Sequence, residues 1–284
     1  MDISYFNGRF LPHNKICISP DDRGFLFADG VYEVVRWYNG FFFDIEGHLA
    51  RLKRSLHELK IKWDGVDSFP AIAEKLIEMN HLNDKPALVY FQVTRGAAPR
   101  SHTFPLPPVP PTTYGFAKTF VPESAGKENG ITVMLKKEMR WNRCDIKSIA
   151  LLPNTMCFTD AVERGYGECV FVRDGFITEG SHSNIFFVVD GALRTHPESE
   201  SILSGITRKH AIDAAIKCGV GIEEKAIHEK ELSRISESFI TNTSAEITPV
   251  IAIGDMPVGN GRPGPITLKI QKKFREIVES YALR

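Results

Sequence analysis

The stretch Cys169-Val-Phe-Val-Arg-Asp-Gly-Phe-Ile-Thr-Glu-Gly-Ser-His-Ser-Asn-Ile-Phe-Phe-Val-Val-Asp-Gly191 alternates short apolar runs with turn residues. Cys169–Val172 and Phe176–Thr178 read as strands joined through Asp174-Gly175, and Asn184–Val189 reads as a strand running into Asp190-Gly191. Asp-Gly and Asn-Gly tolerate the positive φ that a tight hairpin demands. The first half repeats the signal at Asn7-Gly8 and at Asn39-Gly40, the latter between the strand-like runs Val31–Tyr38 and Phe41–Phe43.

Helical patterns interrupt these strands. His48–Lys60 places Leu49, Leu52, Leu56 and Leu59 on one stripe. Pro70–Asn80 and Pro153–Arg164 also read as helices. Thr207–Cys218 starts after a glycine and stops before Gly219, and Pro265–Tyr281 opens on proline. The run Pro105–Thr112 holds too many prolines for either element and predicts an extended loop. Strands and helices are mixed without regular alternation, which predicts an α+β fold. The turn-rich stretch Pro122–Gly130 sets the expected division: a domain over 1–120, a linker over 121–130 and a second domain over 131–284.

At 284 residues, with 43% hydrophobic and 25% charged residues, the chain has the composition of an ordinary globular enzyme. Lys+Arg and Asp+Glu both number 35, so no net field draws it to nucleic acid or to an acidic membrane. No apolar run reaches the roughly 18 residues of a membrane helix. Met1–Gly8 lacks the basic and apolar regions of a signal peptide. Five scattered cysteines fit free thiols in a reducing cytosol, and no two of the nine histidines fall within one helical turn, so no metal site is expected. The expected protein is cytoplasmic.

Lys147 stands apart from most of the other lysines. It is followed, after Ser148, by Ile149, Ala150, Leu151 and Leu152 rather than by charges. An ammonium taken into an apolar interior is disfavoured, and a neutral amine can form a Schiff base with an aldehyde cofactor. A lysine snorkelling from a strand end is the plainer alternative. Three places could hold an anion: Gly205-Ile-Thr207 opening a helix, the hydroxyl run Thr241–Ala245 and the guanidinium of Arg51. Each has an ordinary alternative as a turn, a cap or a helix-surface charge. Glu179 closes a strand before the small polar cluster Gly180–Asn184, where a carboxylate could pair with a protonated pyridine nitrogen or simply be a solvated turn residue.

Six stretches taken in order resemble the class IV (fold-type IV) aminotransferases. They are Asp22-Arg-Gly-Phe-Leu-Phe-Ala-Asp-Gly-Val-Tyr-Glu33, His48-Leu-Ala-Arg-Leu52, Arg140-Trp-Asn-Arg-Cys-Asp-Ile-Lys-Ser148, Thr178-Glu-Gly-Ser-His-Ser-Asn184, Leu203-Ser-Gly-Ile-Thr-Arg208 and Thr241-Asn-Thr-Ser-Ala-Glu246. The resemblance implies two α/β domains, pyridoxal 5′-phosphate in the cleft between them, and a homodimer. It implies Lys147 as the residue that binds the cofactor covalently and moves the Cα proton. It further implies Glu179 at the pyridine nitrogen, with Arg51, Ile206, Thr207 and Thr243 around the phosphate.

Thr94-Arg-Gly-Ala-Ala-Pro-Arg-Ser-His-Thr-Phe-Pro105 resembles the D-amino-acid branch of the family. In that branch an Arg-x-His pair, here Arg100 and His102, takes the substrate carboxylate together with a tyrosine, here Tyr32, and reaches into the neighbouring subunit's site. The resemblance therefore implies transamination between D-amino acids, D-alanine foremost, and 2-oxo acids such as 2-oxoglutarate and pyruvate. A branched-chain L-amino-acid aminotransferase, an aminodeoxychorismate lyase, an (R)-amine transaminase and a catalytically silent binding module share parts of the pattern. Two positions depart from it: Ala150, where relatives often have a polar residue, and His182, where they often have serine. Arg36 is either a contact for a second substrate carboxylate or a solvent-facing charge.

Overall fold

The computed structural model describes residues 2–121 and 125–283, so 122–124 of the expected linker lie outside the described residues. The chain divides into two compact units, Met1–Val121 with Ile146–Ala150, and Pro122–Asp145 with Leu151–Arg284. The division is not a single cut. Ile146–Ala150 belongs to the first unit because its backbone is bound there. Tyr32 N donates to Lys147 O (3.0 Å), Ile149 N to Gly30 O (3.1 Å), and Lys147 N to Ser55 Oγ (3.3 Å).

In the first unit the described residues build one antiparallel sheet in the order β2-β1-β5-β4-β3. These strands are β1 (Ile3–Phe6), β2 (Arg9–Pro12), β3 (Gly30–Trp37), β4 (Ala87–Thr94) and β5 (Thr112–Thr119). Helices α2 (Ile45–Glu58) and α3 (Phe69–Met79) pack against it, and α1 (Arg23–Phe27) precedes β3. Residues two apart on a strand share a face. Val31, Glu33 and Val35 are therefore buried together, in a core that contains Leu49, Leu52 and Leu56 of α2. Glu33 is the carboxylate in that apolar series. Asn7 and Gly8 have φ of +44° and +84° and close the first hairpin. Asn39-Gly40 also turns the chain, but Phe41–Phe43 forms only an isolated Trp37–Phe42 bridge rather than a strand. The reason is Asp44, whose carboxylate accepts from Gly47 N and starts α2 one turn before the leucine stripe announces it.

The second unit is a mixed sheet in the order β11-β10-β9-β13-β14-β6-β7-β8-β12, with β15 on β14. Its main strands are β6 (Ile131–Lys137), β7 (Glu168–Arg173), β8 (Phe176–Gly180), β9 (Asn184–Val189), β10 (Ala192–Thr195), β13 (Ile235–Asn242) and β14 (Glu246–Ile253). Short strands β11 (Ile222–Glu224), β12 (Ile227–His228) and β15 (Met256–Pro257) complete it. Asp174-Gly175 and Asp190-Gly191 turn with positive φ between β7 and β8 and between β9 and β10. Every residue of β9 is buried, which explains its unbroken Ile185–Val189 run. Helices α6 (Ile206–Lys217) and α7 (Pro265–Ser280) pack on each other and on β13, while α5 (Leu152–Glu163) packs on β7. A short helix, α4 (Ala125–Asn129), occupies the turn-rich stretch before β6. The β6 pairings with β14 and β7 are parallel, and the others that join β7, β8, β9, β13 and β14 are antiparallel. The mixture of helices and strands meets the α+β expectation.

Candidate active site

In the first unit, β3 sends Glu33 to its helix-covered face, where α2 presents His48 and Arg51 three residues apart. Arg51 Nε and Nη2 donate to the two Glu33 oxygens, each at 2.8 Å, and His48 Nδ1 lies 2.8 Å from Oε2. Burial alone would raise the Glu33 carboxyl, but the Arg51 charge and the Arg51 and His48 hydrogen bonds outweigh it and bring it down to about 2. Burial moves His48 the other way, below its ordinary value. Arg51 is thus a buried, oriented guanidinium rather than a surface charge.

Tyr32 points from the opposite face of β3 and stacks on Tyr90, with ring centroids 5.6 Å apart. The Lys147 amine lies 4.4 Å from the Tyr32 ring centroid. Lys147 is half-buried, Ala150 is exposed, and Leu152 is 70% exposed at the start of α5. The apolar run after Lys147 therefore does not enter the interior as its composition suggests. Ile146 and Ser148 on either side are buried and hold the lysine backbone in place. Arg36 is buried too, stacked 4.1 Å from the Tyr38 ring and 4.9 Å from Phe120, and does not face solvent.

In the second unit, Glu179 near the end of β8 is buried. It accepts from Arg140 Nη1 (2.6 Å), Asn184 Nδ2 (3.0 Å) and Leu203 N (2.9 Å). Arg140 also gives Nε and Nη2 to Glu138 (3.0 and 2.8 Å). One guanidinium serves two carboxylates. Glu138, gripped twice, is held below its usual range although burial opposes this. For Glu179 burial outweighs Arg140 and the Leu203 N–H, and its carboxyl rises to about 7.

Asn184 ties Glu179 to the start of α6. Its Nδ2 also donates to Leu203 O (2.8 Å), and its Oδ1 sits where a Cβ on Gly205 would lie, 2.1 Å away. Ile206 and Thr207 open that helix, which has no acidic residue in its first turn and no side-chain cap. The contrast with α7 is informative: there the buried Glu237 accepts from Ile266 N and Thr267 N (3.0 and 2.7 Å), so the chain's own carboxylate fills the anion position. Thr241 pairs with Asn184 across β13 and β9, and Thr243 lies in the turn that follows.

Arg100 and His102 lie in the exposed segment between β4 and β5, and both approach the Phe27 ring. Sequence reading gave no role to Glu33, His48, Arg140, Glu138 or Asn184. For Glu33 a signal exists: one carboxylate among Val31 and Val35, with His48 and Arg51 at helical spacing. For Arg140 and Glu179, 39 residues apart, only the fold makes the pair. Among the described residues no group of three or more His, Cys, Asp or Glu side chains could hold a metal, and no helix is long and apolar enough to cross a membrane.

Each unit, taken by itself, offers groups that suit one part of a phosphorylated pyridine aldehyde. The amine of Lys147 suits the aldehyde, and a carboxyl near neutrality suits a ring nitrogen that gains a proton. The open amides of α6 suit a phosphate, and near them Thr241 Oγ1 and Asn242 Nδ2 are buried polar atoms without a protein partner. The sequence profile of the family described as amino-transferase class IV matches residues 30–253. The chain belongs to that family, whose members are pyridoxal-phosphate-dependent aminotransferases. It is 36% identical to the D-alanine aminotransferase of Staphylococcus haemolyticus over 277 residues, covering 97% of this chain and 98% of that one. It is 38% identical to the D-alanine aminotransferase of Bacillus licheniformis over 278 residues, covering 97% and 96%. Among solved structures it resembles the branched-chain amino acid aminotransferase of Escherichia coli, with a TM-score of 0.90, 26% identity, and 98% and 94% of the two chains covered.

Proposed function

We propose that this enzyme moves the amino group of a D-amino acid, D-alanine foremost, to a 2-oxo acid such as 2-oxoglutarate. The observation that carries the reading is the Arg100/His102 pair, two cationic or donor groups on one loop, in a chain whose curated relatives bear the D-alanine name. A forked guanidinium and an imidazole suit a carboxylate, which every amino acid and 2-oxo acid presents. Tyr32 would complete the carboxylate contacts. The enzyme would act as a cytoplasmic homodimer, with Arg100 and His102 serving the neighbouring subunit.

Lys147 would hold the cofactor through its amine, Glu179 its ring nitrogen, and Arg51, Ile206, Thr207 and Thr243 its phosphate. Bound there, pyridoxal phosphate supplies an electron sink that makes the substrate's Cα–H acidic. The Lys147 amine takes that proton from Cα and later returns one, acting as general base and then acid. The Tyr32 ring face keeps the amine in place between these steps. Glu179, with Arg140 and Asn184 fixing its oxygens, keeps a proton available at the ring nitrogen.

A branched-chain L-amino-acid enzyme is the second reading, favoured by the name of the Escherichia coli structure. Visible absorbance of the cofactor-loaded protein separates the two. Loss of the yellow band with D-alanine and not with L-leucine is expected. Loss with L-leucine alone would overturn the D-amino-acid reading. A band that neither changes would move the lyase and amine-transaminase readings ahead.

A further inference from the structure

The segment that carries Arg100 and His102 is exposed, yet its side chains make defined contacts with the chain beneath them. The Arg100 guanidinium carbon lies 5.1 Å from the centre of the Phe27 ring. The His102 ring meets the same phenyl edge to face, with centroids 5.6 Å apart and an interplanar angle of 62°. Between them, Ser101 O accepts from Arg23 Nη1 at 2.7 Å, and the Arg23 guanidinium lies 4.7 Å from the Phe27 ring. One ring thus receives the side chains on both sides of a pinned backbone atom.

The mount beneath that ring is rigid. Asp22 caps α1 by accepting from Gly24 N (2.8 Å) and is itself held by Thr94 Oγ1 (3.0 Å). Arg23 N donates to Gly96 O (3.0 Å), and Arg23 Nε donates to Asp29 Oδ2 (2.9 Å). Asp29 also accepts from Arg95 Nε and Nη2 (2.7 and 2.9 Å). The Arg95 guanidinium then stacks 3.5 Å from the Phe104 ring, fixing the segment beyond His102. Van der Waals contact is equally tight: a Cβ on Gly24 would lie 2.3 Å from Thr94 Cγ2. A five-residue helix bound this firmly offers its last side chain as a fixed platform.

We propose that Phe27 is a positioning residue for the substrate carboxylate. It holds Arg100 and His102 in the geometry that receives the carboxylate, and so sets the affinity for acids rather than the rate of proton transfer. The inference rests on the reading that Arg100 and His102 take that carboxylate. An unheld arginine must give up rotamer freedom when it binds, whereas a stacked one has already done so. The ring's negative face keeps a cation near it, and a saturated side chain of similar size does not.

The test uses the cofactor-loaded enzyme and two readouts: the KM for D-alanine against kcat, and the inhibition constant for propionate, a carboxylate without a reacting amine. Phe27→Leu is expected to raise both constants about three- to tenfold while kcat stays within about twofold. Phe27→Tyr, which keeps the ring, is expected to restore both. Phe27→Met, apolar and flexible without a ring, repeats the Leu measurement should that variant aggregate. Arg100→Leu is the reference, expected to raise both constants at least as far. If Arg100→Leu raises them and Phe27→Leu does not, the positioning role is overturned and the carboxylate reading stands. If Arg100→Leu leaves both unchanged, the carboxylate reading falls and the proposal falls with it. A fall in kcat with unchanged KM in Phe27→Leu also overturns the proposal, because it would mark a general disturbance of the site.

Discussion

Arg140 Nη1 donates to Glu179 Oε1 at 2.6 Å while Nε and Nη2 of the same guanidinium grip Glu138. The consequence is a division of labour between two carboxylates that share one cation. Glu138 takes two of the donors and stays ionised. Glu179 takes one, is fully buried, and is left near neutrality at about 7. Such a carboxyl can answer a ring nitrogen that carries a proton, because neither partner's charge is locked by the protein beforehand.

This arrangement has a measurable effect in the cofactor-free protein. The Glu179 carboxyl titrates near 4.5 in the unfolded chain and about 7 when folded. The folded state therefore binds more protons between those values, and stability falls as pH rises through that window. The size is of order 2 to 3 kcal/mol. Urea unfolding of cofactor-free protein at pH 5 and pH 8 should show the fall in wild type, and Glu179→Gln should remove most of it. An identical pH slope in the two proteins would contradict the account. With cofactor restored, Glu179→Gln is expected to lower kcat by about a hundredfold or more, since a neutral amide cannot pair with a pyridinium.

Glu33 has the opposite sign. Its folded carboxyl is near 2 and its ordinary value near 4.5. It contributes stability that is complete above about pH 4.5 and is lost as pH falls toward 2. Glu33→Gln removes the carboxylate that holds the buried Arg51 through two hydrogen bonds and should cost about 3 to 5 kcal/mol at pH 7. Replacing both partners, as Glu33→Leu with Arg51→Met, should recover most of that loss, because an apolar pair avoids the desolvation of two charges. Cofactor affinity, followed by equilibrium dialysis, should stay low in the double variant if the Arg51 guanidinium serves the phosphate. Full affinity in that variant would remove Arg51 from the phosphate site.

The fold was largely written in local pattern. Asn7-Gly8, Asp174-Gly175 and Asp190-Gly191 turn where their chemistry says, with positive φ throughout. The stripe of Leu49, Leu52 and Leu56 is buried as helical spacing requires. What pattern does not carry is long-range pairing. Phe41–Phe43 has strand composition, but the Asp44 cap gives the chain to α2 before a second strand can form. Ile149–Leu152 looks like an apolar entry to the core, yet Ala150 and Leu152 are exposed, because hydrogen bonds to Gly30, Tyr32 and Ser55 decide the path of that segment. The candidate site divides the same way. Residue types such as Lys147 and Glu179 stand out by their neighbours in sequence. Their partners, Tyr32 for one and Arg140 and Asn184 for the other, are supplied by strand register and helix placement.

Lys147→Ala separates chemistry from folding. The side chain is half-buried and its backbone is held through Tyr32 N and Ser55 Oγ, so truncation should change stability by no more than about 1 kcal/mol. Multiple turnover should vanish, because the variant lacks the amine that lies against the Tyr32 ring. Borohydride treatment of the loaded protein followed by peptide mass analysis should leave a phosphopyridoxyl mass on the Lys147 peptide in wild type and on no peptide in the variant. Retained multiple turnover would sink the assignment of Lys147.

Gly205→Ala tests whether the proposed phosphate end and the proposed ring-nitrogen end are coupled through Asn184. Gly205 has φ −73° and ψ 134°, which alanine adopts without strain, so any effect must be steric. The new methyl would meet Asn184 Oδ1 at 2.1 Å, closer than atoms can approach. Asn184 is short, buried and tied to both Leu203 O and Glu179, so it cannot swing aside without breaking those bonds. Each buried hydrogen bond left unmade costs about 1 to 3 kcal/mol, so the variant should lose roughly that much stability and at least about tenfold in cofactor affinity. Asn184→Ala combined with Gly205→Ala removes the clash: stability should partly return, while cofactor affinity stays reduced because Glu179 still lacks its amide donor. Equal affinity in the double variant and wild type would show that Asn184 only fills space and that the two ends of the site are independent.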